Sequence, residues 1–123
     1  ETCRRNTVRR RVLSLHKTVR KYFGEAIVVT QEVEDIISSP IVKESIINNA
    51  DCKILLDQRK YRNKFDQIQT LLGLTDKERA QVLSINLSND PARRYKEVFI
   101  SLGGMQSAVY ATEVSDEEYL VRP

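Results

Sequence analysis

The period of apolar and polar positions changes several times along the chain, and each change marks an element. Val8, Val12, Leu15 and Val19 recur at helical spacing, one apolar stripe with arginines and lysines on the other faces. Gly24 is the expected stop. Ala26-Ile27-Val28-Val29-Thr30-Gln31 then runs without a period. A β-branched stretch that is apolar on both faces suits a strand buried in a parallel sheet between helices. Cys52-Lys53-Ile54-Leu55-Leu56-Asp57-Gln58 has the same character and also ends on a glutamine. Between them, Val33 to Ile37 predicts a short helical turn. Ser39 and Pro40 predict the start of a helix through Ile41, Val42, Ser45, Ile46 and Ile47, ending near Asn48 and Asn49. That segment is long enough to cross back over a sheet. Strands 26–30 and 52–57 are therefore expected to be parallel neighbours with Gln31 and Gln58 on one rim, the edge where open α/β sheets bind ligands.

The second half is more strongly punctuated. Asp57 to Asn63 is a polar stretch, expected to be a loop, and a helix follows with Phe65, Ile68, Leu71 and Leu72 on one side and Gly73 as its stop. Thr75 with Glu78 three residues later forms a capping box, opening a helix that carries Ala80, Val82, Leu83 and Ile85. Asn89-Asp90-Pro91 breaks the chain again. Tyr95 to Leu102 and Ser107 to Val114 predict a hairpin, about 95–114, turning through Gly103-Gly104. Ser115 with Glu118 begins a last helical turn. The expected fold class is α/β: two parallel strands with helices, plus a C-terminal antiparallel hairpin.

Composition narrows the classes of function. With 123 residues, 41% hydrophobic and 30% charged, the chain has the make-up of one globular domain. No apolar run approaches the roughly 20 residues that span a bilayer, and no secretory leader is expected. Two cysteines, Cys3 and Cys52, and a single histidine, His16, offer no disulfide framework and no metal-ligand spacing. A reducing, cytoplasmic setting with inert thiols is expected. The net charge of +3 is unevenly placed, because residues 1–25 carry +6 and the rest −3. Arg4, Arg5, Arg9, Arg10 and Arg11 make the N-terminal segment a cationic arm. Such an arm is either a solvated helix face or a contact for single-stranded nucleic acid with steep salt dependence. No aromatic residues interleave with its charges to stack bases.

Several of these segments together resemble a known family. Lys17-Thr18-Val19-Arg20-Lys21-Tyr22-Phe23-Gly24-Glu25, Ala26 to Gln31, Ile46-Ile47-Asn48-Asn49, Lys53 to Gln58, and Gln106 to Val114 are similar to the C-terminal part of TraG-type conjugative-transfer ATPases. These are type IV secretion motors carried by conjugative transposons and plasmids. The resemblance runs from about Leu15 to Val121. It implies the distal half of a RecA-like ATPase domain over residues 15–123, preceded by a basic segment, 1–14, unlike the family. It also implies an oligomeric motor that uses ATP and Mg²⁺ to move single-stranded DNA or protein, peripheral to the inner membrane on its cytoplasmic side. Its partners would be other subunits of the same ATPase and components of the secretion channel.

Within that frame Thr30 and Gln31 look like the sensor motif. A glutamine amide can donate to a γ-phosphate oxygen and accept from the attacking water. Asn48, Asn49, Lys53 and Gln58 match the following motif, in which the second glutamine lies near the nucleotide. Each has a plainer alternative. Gln31 can simply end a strand, Asn48 and Asn49 can end a helix, and Lys53 can be an edge lysine that discourages aggregation. Arg59, Lys60 and Arg62 can be a solvated loop, or Arg59 and Arg62 can reach a neighbouring subunit's phosphates. The sequence contains no G-x-x-x-x-G-K-[ST] loop and no apolar strand ending in an acidic pair. The chain alone is therefore expected to bind no ATP or Mg²⁺ tightly and to hydrolyse none. An open edge at 26–30 is expected to drive a dimer or higher oligomer. The alternative from a different class is a free-standing interaction or single-stranded nucleic-acid-binding module that uses the basic arm.

Overall fold

The structure, a computed structural model, describes residues 11, 14–15, 18–31, 47, 49–87, 92 and 95–121. The chain divides into two compact units, Glu1–Ala50 and Asp51–Pro123.

In the first unit Arg11, Ser14, Leu15 and Thr18 are helical, and the helix tightens into a 3₁₀ turn over Val19–Tyr22. The Thr18 hydroxyl donates to the Ser14 carbonyl one turn back at 2.7 Å. Phe23 takes the left-handed conformation at φ 55°, and the Gly24 N–H donates to the Val19 carbonyl at 3.1 Å. The expected stop is thus in place, but Gly24 serves it by being small: a Cβ there would lie 2.9 Å from Val19 Cγ2. Residues 24–30 form no strand. Ile27 is 83% and Val29 87% exposed among the described residues, in the stretch expected to be the most buried. Ile47 and Asn49 are helical, in keeping with the helix expected there. Its start at Ser39 and Pro40, the short turn at Val33 to Ile37, and Asn48 lie outside the described residues.

The second unit is built on an antiparallel sheet of three strands, β1 (Cys52–Leu55), β2 (Tyr95–Leu102) and β3 (Gln106–Glu113), in that order. β1 runs antiparallel to β2, with Lys53 opposite Ser101 and Leu55 opposite Phe99. This corrects the expected parallel pairing of 26–30 with 52–57, because β1 is shorter and takes its ladder from the hairpin. Four residues of mixed burial need only one partner. The hairpin itself is in register throughout, from Tyr95 opposite Glu113 to Leu102 opposite Gln106. Gly103 and Gly104 turn it at φ 56° and 70°, values that a side chain would disfavour.

Three α-helices of the second unit follow the local signals. The 3₁₀ helix Arg59–Lys64 replaces the expected loop and leads directly into α1 (Phe65–Leu72). Gly73 ends α1 at φ 65°, its N–H donating to the Gln69 carbonyl. α2 (Asp76–Ser84) starts with the expected capping box. α3 (Asp116–Val121) starts with a second one, in which Ser115 and Glu118 exchange hydrogen bonds of 3.2 and 3.3 Å. The core comprises Phe65, Ile68, Leu71, Leu74, Val82, Ile85 and Phe99. On α2 and at its C-cap the inward row is Glu78, Val82 and then Ile85, whereas Ala80 is exposed and Leu83 half-buried. A glutamate takes the place of an apolar residue there because its oxygens are fully engaged. Oε2 accepts from the Thr75 N–H at 2.8 Å and from its hydroxyl at 3.2 Å, and Oε1 accepts from the buried Ser101 hydroxyl of β2 at 3.0 Å. Arg79 of α2 reaches back to Asp66 and to Gln69 of α1, tying the two helices together.

Candidate functional site

The chemistry-bearing side chains cluster where the chain leaves β1. Asp57 and Gln58 follow that strand, and Arg59 opens the 3₁₀ helix. Asp57 Oδ1 accepts from the Arg59 backbone N–H at 3.0 Å and from its Nε at 2.9 Å, while Oδ2 accepts from Nε at 2.9 Å and from the terminal nitrogen Nη2. A short acidic side chain bonding a backbone N–H two residues on is an Asx turn, and it starts the helix. The Arg59 side chain holds the Asp57 carboxyl below its ordinary range; partial burial opposes this, and the Asn86 side chain adds a smaller downward pull. Asn86 is itself fixed. It sits at φ 54°, its N–H donates to Glu97 Oε2 at 2.7 Å, and its Oδ1 accepts from the Glu97 N–H at 3.0 Å. A chain of polar contacts thus runs from Asp57 through the end of α2 to β2.

Gln58, which lies between Asp57 and Arg59 in the chain, is half-buried. Its carbonyl accepts from the Tyr61 N–H at 2.9 Å. Its side-chain Oε1 is buried and, among the described residues, has no hydrogen-bond partner. A buried amide oxygen left unpaired costs about 1–3 kcal/mol, so such an atom calls for an explanation in its surroundings or its chemistry. Lys60 lies over the Tyr61 ring, 5.4 Å from its centre, and Arg62 is exposed.

The other residues singled out in the sequence fall in both units. Thr30 and Gln31 are exposed in the first unit, and Gln58 belongs to the second. Asn49 is exposed at a helix end, and Lys53 is half-buried on the outer strand β1. Arg11 is exposed on the N-terminal helix, whereas Arg4, Arg5, Arg9 and Arg10 lie outside the described residues. Pattern reading missed Asp57, which it absorbed into a polar stretch; an acidic residue two before an arginine, just past a strand, is the signal that marks it. It also missed Asn86 and Ser101, whose roles depend on contacts far along the chain. Among the described residues no group of acidic, histidine or cysteine side chains is arranged to hold a metal, and no helix is long and apolar enough to cross a membrane.

No curated protein and no solved structure matches the chain. The family model of the TraG P-loop domain matches it over residues 4–122, from within the cationic arm to one residue short of the last. A match over nearly the whole length of a mixed helix-and-strand chain shows the family: the chain belongs to the TraG P-loop domain family of conjugative-transfer ATPases.

Proposed function

We propose that this chain is the distal, sensor-bearing portion of a RecA-like motor that powers conjugative DNA transfer or type IV secretion. In that motor Gln31, preceded by Thr30, senses the γ-phosphate and positions the attacking water. Gln58 contributes from the neighbouring rim, with Asn48, Asn49 and Lys53 near the nucleotide, and Arg59 and Arg62 face the phosphates held by an adjacent subunit.

The observation that carries the reading is Gln58 Oε1, a buried and unpaired acceptor next to a clamped arginine in a chain of this family. An acceptor held in that way suits positioning chemistry, since phosphoryl transfer asks the protein mainly to orient and stabilise. The chain alone lacks the glycine-rich cradle and its lysine, so it neither hydrolyses ATP nor binds Mg-ATP tightly. ATP and Mg²⁺ are bound by the intact motor, which works as an oligomer at the cytoplasmic side of the inner membrane with channel components and single-stranded DNA as partners.

Replacing Gln58 or Gln31 by Ala in the intact motor is the test. Turnover falls at least about tenfold, the usual cost of a lost positioning group, while the affinity for ATP changes little. Unchanged turnover in both variants removes the glutamines from this role. For the isolated chain, calorimetric titration with Mg-ATP yielding a micromolar dissociation constant contradicts the proposal.

A further inference from the structure

Asp57 grips Arg59 from the side. All of its hydrogen bonds to the guanidinium fall on Nε and Nη2, two of the three nitrogens of a planar fork with five N–H donors. Among the described residues Nη1 has no partner. One of its N–H groups and the second N–H of Nη2 form the end of the fork that faces away from the carboxylate, the edge that takes a phosphoryl group with two parallel bonds. The Arg59 side chain is 42% exposed, so this edge is accessible. Arg62 stands three residues further along the same 3₁₀ helix, where side chains at i and i+3 eclipse, and it is exposed.

A carboxylate beside an arginine can act on an incoming anion in two opposed ways. It can neutralise the cation and weaken binding, or it can order the long side chain in advance and strengthen binding. The geometry favours the second. Asp57 also accepts from the Arg59 backbone N–H, so the side chain is tied back to the start of its own helix with its outer edge turned away from the clamp. We propose that Asp57 is a positioning residue, holding Arg59 so that the Nη1–Nη2 edge accepts a phosphoryl group of a nucleotide bound by a neighbouring copy. This rests on the reading of Arg59 as a contact made in trans.

The two accounts differ in sign, and a titration of the full chain with inorganic tripolyphosphate separates them. Binding is followed at the Arg59 Nε–H resonance and at the Lys60 and Tyr61 amides, in about 0.15 M salt, where interactions beyond roughly 8 Å are screened. Only changes at these three signals count as binding at this site. Asp57→Ala weakens tripolyphosphate binding at this site about threefold to tenfold, the equivalent of the side-chain ordering that the clamp supplies, although the chain gains a positive charge. Asp57→Asn, which keeps one acceptor and the turn, gives an intermediate loss and serves should the alanine variant fold poorly. Affinity that is unchanged or tighter in Asp57→Asn overturns the positioning role. Arg59→Gln abolishes the response at the two amides; if that response persists, the phosphate reading of Arg59 fails first, and the role of Asp57 falls with it.

Discussion

Glu78 is where a single substitution should expose most about how the second unit is held together. In Glu78→Ala the buried Ser101 hydroxyl, on a residue 4% exposed, loses the carboxylate oxygen it bonds at 3.0 Å. Leaving a buried donor unmet costs about 1–3 kcal/mol. The Thr75 N–H loses its acceptor at the same time, undoing one half of the capping box at about 1 kcal/mol. Alanine's better helix propensity returns at most about 0.5 kcal/mol. The expected net loss is about 2–3 kcal/mol, which for a unit of this size moves a urea midpoint by roughly 2 M. Ser101→Ala alone costs less, because Thr75 still engages the carboxylate. The double variant is less destabilised than the sum by about 1 kcal/mol.

The same residue makes the effect depend on pH. Burial pushes the Glu78 carboxyl up, but hydrogen bonds from the Thr75 backbone, the hydroxyls of Ser101 and Thr75, and Ser107 outweigh it, so the group titrates below its ordinary value of 4.5. A carboxyl whose pKa is lowered by folding adds stability that is present above its unfolded value and is lost as pH falls through the folded one. The wild-type chain therefore loses stability on acidification below about pH 4.5, and Glu78→Ala loses less over that window. Urea melts followed by circular dichroism at neutral pH and near pH 3.5 read both effects. A cost under about 0.5 kcal/mol at neutral pH, or strict additivity with Ser101→Ala, would refute the network.

Other expectations follow from single contacts. Asn86→Ala leaves a left-handed residue that keeps its backbone N–H bond to Glu97 Oε2 but no longer accepts from the Glu97 N–H. It should cost about 2 kcal/mol in a denaturant melt, whereas Asn86→Gly, which removes the backbone strain, recovers part of that loss. Gly73→Ala meets no atom within 4 Å but must hold φ at 65°, so it costs about 1 kcal/mol; no change would show that α1 ends differently in solution. Phe99→Ala empties a position with no exposed surface on the central strand and should cost about 3–5 kcal/mol, seen as loss of the cooperative melt. Deleting residues 1–12 abolishes any salt-sensitive binding of a labelled single-stranded oligonucleotide measured by anisotropy; binding that survives would place the contact in the domain.

What could be read in advance was whatever a few neighbouring residues decide among themselves. The stop at Gly73, the Thr75–Glu78 and Ser115–Glu118 boxes and the Gly103-Gly104 hairpin are all local hydrogen-bond or dihedral problems with one good solution. Family membership was readable for a related reason, since long runs of consecutive residues carry it. The failures share an opposite cause. An apolar run such as Ile27 to Val29 states that burial is needed but not against what, and a strand's direction depends on its partner's position in space. β1 therefore turned out antiparallel to a segment some fifty residues later, and 26–30 formed no strand. Likewise Glu78 reads as a helix-start residue, and only folding brings Ser101 to its second oxygen. The candidate site divides in the same way: Gln58 and Arg59 stood out by type and place, the grip of Asp57 on Arg59 is a local contact two residues long, and the unpaired Gln58 oxygen came from packing. Local preferences are properties of short peptides and travel with the sequence. Pairing partners and the surroundings of a buried oxygen are properties of distance, and distance exists only once the chain has folded.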